Sequence, residues 1–313
     1  MLYNDDTTMK ILELMGKRAA RAKAFAEAEG EHKGKNDDAP ERAKEARKRT
    51  GVFTSGIVST SEGRTIALFF TGRRHAGENL GEVLAHRASE LGAPIQMCDA
   101  LAHNVPKEFK TILSNCLSHS RRQFVDVVEN FPDECRHVLL TLRDVYKHDA
   151  FAQNQDLTPD ERLRFHQAES GPLMDDLKEW LTRQLEDHLV EPNSGLGEAI
   201  TYMLKHWDKL TLFLRKAGAP LDNNICERIL KRAILHRKNA MFFMSEKGAC
   251  VGDLFMSLIH SCQLCDANPF DYLTELQKHA AELSSDPTAW MPWSYRDEWR
   301  RRNVDAETAV GYV

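Results

Sequence analysis

A chain of 313 residues is long enough for about two domains of ordinary size, or one domain with a large insertion. Its 42% hydrophobic and 28% charged residues allow a real core, which excludes wholesale disorder. The 42 basic and 47 acidic residues give a net charge of −5, so a nucleic-acid surface has to come from local clustering. No apolar run reaches the ~18–20 residues of a bilayer span, so no membrane partner is expected. The acidic N-terminus MLYNDDTTMK is no secretory leader, and the expected location is the cytoplasm. Cys98, Cys116, Cys135, Cys226, Cys250, Cys262 and Cys265 are scattered, as reduced thiols are.

In chain order, Met1–Asn4 is the first strand candidate and runs into Asp5 and Asp6. Apolar positions in Thr7–Leu14 can extend it. Residues 15–50 are rich in Ala, Lys, Arg and Glu, with 11 basic and 7 acidic residues between Lys17 and Arg49, and read as a helical or poorly ordered insertion. Val52–Ser59 and Thr65–Phe70 are β-branched and aromatic, with a hairpin turn at Ser61–Gly63. A helix is expected from about Ala76 to Leu91, ended by Gly92–Pro94. Ile95–Asp99 is a short strand that stops at a carboxylate, and Ile112–Leu117 is a second short strand or a helix start.

From Gln123 the chain reads helical almost to its end. Thr158-Pro159-Asp160-Glu161 is a helix start, with a capping Thr and a Glu three residues on. Leu173, Leu177, Trp180, Leu181 and Leu185 form one apolar stripe. Ile200, Met203, Leu204, Trp207, Leu210 and Leu214 form another, separated from the first by Pro192–Gly197. Further helices are expected near Asn224–Arg237, near Gly252–Leu264 and from Asn268–Pro269. The class is α/β, with strands first and a helical half after them.

Three acidic positions stand out. Asp5 and Asp6 end the first strand, Asp99 ends a later one, and Glu227 lies early in the helix LDNNICERILKRAILHRKN. Carboxylates that meet at one sheet edge repel each other and favour divalent cations. Two such ions activate a water or a 3′-hydroxyl and stabilise the leaving oxygen of a phosphodiester. Spacing alone leaves blander readings open: paired Asp after a strand is a turn signal, and Glu227 stands i,i+4 from Lys231.

Asp222-Asn223-Asn224-Ile225-Cys226-Glu227-Arg228, followed by Arg237-Lys238-Asn239, Phe242-Phe243, Ser245 and Gly248, resembles the C-terminal catalytic motif of the insertion sequence 66 family of bacterial transposases. The chain is similar to that family also at Asn4-Asp5-Asp6-Thr7, at Arg74-His75-Ala76-Gly77-Glu78, at Asp99, and at Cys116-Leu117-Ser118-His119-Ser120-Arg121-Arg122. The tail Asp271–Trp293 is similar to the family's small C-terminal segment. These matches run in order over nearly the whole chain.

The resemblance implies a ribonuclease-H-like fold, a mixed sheet flanked by helices with a large all-helical insertion before the last acid. Residues 1–125 would then be the first part of the catalytic domain, 126–219 the helical insertion, 220–265 the rest of the catalytic domain and 266–313 the C-terminal segment. It implies DDE chemistry, with Asp5, Asp99 and Glu227 both as the catalytic triad and as ligands of Mg²⁺ or Mn²⁺. Asp6 on a strand points to the opposite face from Asp5. The implied activity is metal-dependent DNA cleavage and strand transfer of an insertion element. Its implied partners are transposon ends, target DNA, and other transposase copies or accessory element proteins, in association with the nucleoid. Two departures stand against the family pattern. Ala100 and Leu101 follow Asp99 where the family often has Gly and Tyr. The chain also begins at the first catalytic strand, without the zinc-ligating DNA-binding region usual in the family. A truncated, catalytically silent remnant that binds DNA or a transposase is therefore the alternative.

Arg228, Lys231, Arg232, Arg237 and Lys238 crowd the helix of Glu227, and from Lys205 to Gly248 there are ten basic and four acidic residues. Phosphate contact is favoured there over a merely solvated face. Arg121 and Arg122 suit either DNA or surface pairs. Asn223 or Asn224 is expected to cap the helix. Cys116 with His119, and Cys262 with Cys265, each have the spacing of half a zinc site, though buried thiols are the simpler reading. The Trp and Leu stripes read as helical core. No glycine-rich phosphate loop or dinucleotide fingerprint is present.

Overall fold

The computed structural model describes residues 1–16, 51–61, 63–88 and 90–301, so the charged insertion expected at 15–50 lies almost wholly outside the described residues. The fold is mixed α/β and mostly helical. Strands β1 (Leu2–Thr8), β2 (Phe53–Ser61), β3 (Arg64–Gly72), β4 (Ile95–Cys98) and β5 (Ile112–Asn115) form one sheet in the order β3-β2-β1-β4-β5. β2 and β3 pair antiparallel; β1 with β4 and β4 with β5 pair parallel. Helix α1 (Ala76–Ala85) follows β3. The chain divides into two compact units, Met1–Asp5 with Leu80–Ile225 and Asp6–Asn79 with Cys226–Val313.

The first unit holds β4, β5 and helices α2 (Leu117–Asp126), α3 (Pro132–Asn154), α4 (Pro159–Glu169), α5 (Gly171–Glu186), α6 (Gly195–Lys205) and α7 (Trp207–Leu210). β4 is buried at Gln96, Met97 and Cys98, as a parallel strand covered on both faces must be. One core gathers Leu117, Phe124, Leu142, Leu177, Leu181, Ile200, Met203 and Phe213. Each such side chain, withdrawn from water, contributes about 1.5–3 kcal/mol. Helix α4 starts with the expected capping box: the Thr158 hydroxyl accepts from Glu161 N, and the Glu161 carboxylate accepts from Thr158 N.

Buried Asp149 fastens α3 to α4. Its Oδ1 accepts from Arg162 and lies 3.0 Å from His166 Nε2, while Oδ2 accepts from Gln153 at 2.6 Å. Burial alone would raise this carboxyl's pKa, but the His166 hydrogen bond and the Arg162 charge and hydrogen bond outweigh it and hold the pKa low.

The second unit holds β2, β3 and helices α8 (Asn224–Ala240), α9 (Glu246–Leu264), α10 (Pro269–Lys278) and α11 (Ala280–Ser285). β3 lies at one end of the strand order, and α9 satisfies its outer backbone groups. Ala67 N donates to Ser261 Oγ (3.1 Å), Phe69 N to Ser257 Oγ (2.9 Å) and Thr71 N to Asp253 Oδ2. Four residues of helix rise about 6 Å and two residues of strand about 6.8 Å, so polar side chains every fourth residue keep step with every second amide. A satellite core of Cys262, Tyr272, Trp290 and Tyr295 anchors the tail, where Tyr272 Oη donates to Trp290 O at 2.9 Å.

Gly56 in β2 allows α8 to lie close. A Cβ there would meet Leu230 Cγ at 3.0 Å and Cys226 Sγ at 3.5 Å. The Cys226 thiol donates to the Gly56 carbonyl at 3.4 Å. After α8 the chain turns through Met241, whose φ of 64° lies in the left-handed region. A side chain there costs about 1–2 kcal/mol, which is why Gly or Asn is the usual residue after a helix.

Several local expectations are corrected. Residues 9–14 do not extend β1. It stops at Thr8, and Leu12–Leu14 form a 3-10 turn, because the backbone of Ile11 and Leu12 pairs with Phe243 instead. Helix α1 ends at Ala85 rather than Leu91. Beyond it, the Arg87 guanidinium donates to the carbonyls of Leu91 and Gly92 at 2.9 and 2.8 Å. The second apolar stripe is broken at His206 into α6, α7 and a 3-10 turn at Leu212–Leu214, all in the same core. Gly195–Gly197 belong to α6, where Ser194 caps Gly197 N and a Cβ on Gly197 would lie 2.2 Å from Glu191 O. Helix α9 starts at Glu246, capped by Ser245, six residues before the expected start.

Candidate active site

In the first unit, β1 and β4 run parallel with Leu2 opposite Gln96 and Tyr3 opposite Met97. Continuing that register by two residues sets Asp5 level with Asp99, on neighbouring strands about 4.8 Å apart. Both carboxylates act on the thiol of Cys98. Burial, then Asp99, Asp5 and Cys116, push its pKa far up, against the pull of Lys209. Cys98 therefore stays a neutral thiol with two acids beside it; Asp5 and Asp6 lie inside β1 rather than at its end, and Asp99 directly follows β4.

A buried polar ladder fixes this pair. Gln96 Nε2 donates to Asn4 Oδ1 and to Asn104 O, each at 2.8 Å. Asn4 Nδ2 donates to the same Asn104 carbonyl at 2.8 Å, and Thr111 Oγ1 donates to Gln96 Oε1 at 2.8 Å. Asn4, Gln96 and Asn104 have no exposed surface. Asn104 in turn orients Asp99: its Nδ2 and the Leu101 amide both donate to Asp99 Oδ1. Asn115, at the end of β5, donates to the Asp99 carbonyl at 3.2 Å. The Asn104, Asn115 and Asn223 side-chain oxygens are buried and meet no hydrogen-bond partner among the described residues.

The helical segment also reaches this edge. Burial, and after it the charge of Asp99, raises the pKa of the Tyr202 phenol on α6, which lies at the Ala100 backbone. Asn223, just before α8, donates from Nδ2 to Asn4 O at 3.1 Å and from its amide to Cys116 Sγ at 3.2 Å. Asn223 is thus a brace on β1, and the first-turn amide of Asn224 is met by Asp222 Oδ1 at 3.0 Å. The capping expected of an Asn is done by Asp222.

Asp6 belongs to the second unit and has a different role from Asp5. Its Oδ2 lies 2.8 Å from His75 Nδ1 and accepts from Ala76 N at 3.3 Å, at the start of α1, where a negative charge is stabilised. Phe53 packs on the His75 ring with centroids 4.2 Å apart.

Glu227 stands half-buried in the first turn of α8, also in the second unit. Arg228, Lys231, Arg232 and Lys238 of the same helix are exposed. Arg237 is half-buried and clamps the end of β1: its NH1 donates to the Thr8 carbonyl, to Thr8 Oγ1 at 3.0 Å and to Thr7 Oγ1 at 3.4 Å. Arg121 and Arg122 are exposed on α2 in the first unit. Of the cysteine pairs, Cys262 is buried in the satellite core with its pKa pushed up to about 12 by burial and Cys265. Cys265 donates to Thr65 O at 3.5 Å. Cys116 is buried beside Ser118 Oγ at 2.9 Å.

Sequence reasoning missed the ladder of Asn4, Gln96, Asn104 and Thr111, and it missed Tyr202. A Gln in the middle of an apolar strand that stops at an Asp was the available signal, since a buried amide needs partners.

The family model described as "Transposase IS66 family" matches residues 1–250, and the chain belongs to this family of transposases. The chain is 32% identical over 204 residues to the uncharacterized protein y4hP of Sinorhizobium fredii (strain NBRC 101917 / NGR234), covering 60% of this chain and 35% of that one. It is 31% identical over 188 residues to the uncharacterized protein y4jD of the same organism, covering 59% and 36% respectively. The chain thus spans about a third of the length of these curated relatives. No solved structure matches it. Among the described residues, no helix is long and apolar enough to cross a membrane.

Proposed function

We propose that this chain carries the DDE chemistry of a transposase: metal-dependent cleavage of DNA at an insertion element's ends, and transfer of the freed strand to target DNA. The observation that carries the reading is the parallel β1–β4 register, which, continued by two residues, sets Asp5, inside β1, level with Asp99, just past the end of β4. The mixed sheet, with a helical segment between Asp99 and Glu227, supports a ribonuclease-H-like catalytic domain. Membership of the transposase family supports DNA as the partner.

The residues fit a hard divalent cation. The donors are carboxylate oxygens, which suit Mg²⁺ and Mn²⁺, and the polar groups near them include three buried asparagine oxygens with no hydrogen-bond partner among the described residues. Asp5, Asp99 and Glu227 would hold the metal. When bound, it would activate a water or 3′-hydroxyl and stabilise the leaving oxygen. The chain's own residues do the rest. Asn104 and the Leu101 amide fix the Asp99 carboxylate. The exposed basic face of α8 holds the phosphate backbone, and Arg121 and Arg122 of the first unit are further proposed DNA contacts. Asp5 rather than Asp6 is the ligand, because Asp6 is committed to His75 and the start of α1.

The test is cleavage and joining of labelled transposon-end DNA with Mg²⁺ or Mn²⁺. Asp99→Asn and Glu227→Gln abolish both reactions while circular dichroism and melting stay near wild type. Full activity in either variant overturns the assignment. Salt-sensitive DNA binding that ignores metal, without any nicking, would establish the silent DNA-binding remnant instead.

A further inference from the structure

In the second unit, beside the end of β1, Thr8, Met9, Lys10, Arg237, Lys238 and Met241 line an open groove of about 370 Å³. We propose that this groove receives a single extrahelical nucleotide of the bound DNA. The inference rests on the DNA-processing reading above and adds a site to it.

The walls are of two kinds. Lys10, Arg237 and Lys238 supply three positive charges. Arg237 is already oriented by its hydrogen bonds to Thr7 and Thr8, so little freedom is lost when it meets an anion. The last carbonyls of α8 repel a phosphate, and Arg237 and Lys238 in its last turn offset them. The other walls are thioethers, Met9 and Met241. Methionine sulfur packs favourably on aromatic faces and adapts to their outline. A groove for a bare phosphate would need only the cations. A nucleobase attached to a phosphate uses both kinds of wall, and stacking of this sort tolerates any base.

The backbone at Met241 is the independent observation. It is a non-glycine residue in the left-handed region, and the residue is 64% exposed. Core packing therefore does not explain a strained methionine where glycine is easier. Its place at the groove mouth does. Arg237 lies ten residues from Glu227 on α8, about 15 Å along the helix axis. That is about four to five nucleotide steps of duplex from the proposed cleavage point.

The test compares a fully paired duplex with the same duplex carrying one unpaired nucleotide, by fluorescence anisotropy at low salt, using the whole chain. The bulged duplex should bind about tenfold tighter, since the paired one must first unstack a base. Met241→Gly should melt no lower than wild type, because strain is relieved, yet its ratio of affinities should fall towards one. Lys10→Ala should lower the ratio in the same direction. Equal binding of the two duplexes by wild type, or an undiminished preference in Met241→Gly, overturns the proposal and leaves the DNA-processing reading standing. Failure to bind either duplex overturns both.

Discussion

Replacing Gln96 by Leu tests whether the buried polar ladder sets the carboxylate pair. The side chain makes three hydrogen bonds with oxygen partners, two as donor and one as acceptor, and a longer one from Nε2 to Cys98 Sγ at 3.8 Å. Leucine fills similar space and makes none. The Asn104 carbonyl keeps its bond from Asn4 Nδ2, so it is not orphaned. Asn4 Oδ1 loses its donor in a fully buried position, and the Thr111 hydroxyl loses its acceptor. Each buried orphan costs about 1–3 kcal/mol, and the added apolar burial returns part of that. The expected net loss is about 2–4 kcal/mol, read as a shift in the urea midpoint of unfolding at unchanged slope. Activity should fall further than stability, by about tenfold where the variant is still folded, because Asn104 is the group that orients Asp99. A Gln96→Leu protein within about 0.5 kcal/mol of wild type, cleaving DNA at the wild-type rate, would refute this account.

Two further substitutions probe other parts of the fold. Gly56→Val puts methyl groups where a Cβ alone already stands 3.0 Å from Leu230 Cγ, so it should destabilise the second unit by about 1–3 kcal/mol in a thermal melt; a Tm equal to wild type would show that α8 is free to move away. Asp149 has its pKa held low in the folded chain, so its contribution is complete above the unfolded value near 3.9 and is lost as pH falls through the folded value. Asp149→Asn should therefore cost about 3 kcal/mol at neutral pH and flatten the acid side of the stability–pH curve; an acid limb as steep as wild type would exclude this carboxylate as its source.

What was legible in the sequence was local. The β2–β3 hairpin, the Thr158 capping box and the strand ending at Asp99 all announce themselves within ten or twenty residues. What failed depended on distant partners. Residues 9–14 look like strand, yet Ile11 and Leu12 pair with Phe243, more than two hundred positions away, and the chain bends into a 3-10 turn. Asn223 has the composition of a cap, but β1 claims its side chain and Asp222 takes that work. The acids of the candidate site were named by resemblance to a family. The register that sets Asp5 level with Asp99, and the amide ladder behind it, are properties of strand pairing that no single segment encodes.

The serine and aspartate side chains that α9 lays along β3 have a bearing on where the polypeptide can be cut. The family match stops at residue 250, yet Asp253, Ser257 and Ser261 all lie past it. A fragment trimmed to that limit would keep every proposed catalytic acid and lose the groups that close off the sheet's outer margin. Three amides, with Phe69 among them, would then invite a strand from another molecule. Helix α9 therefore acts as a guard against self-association, and an expression boundary belongs beyond its end.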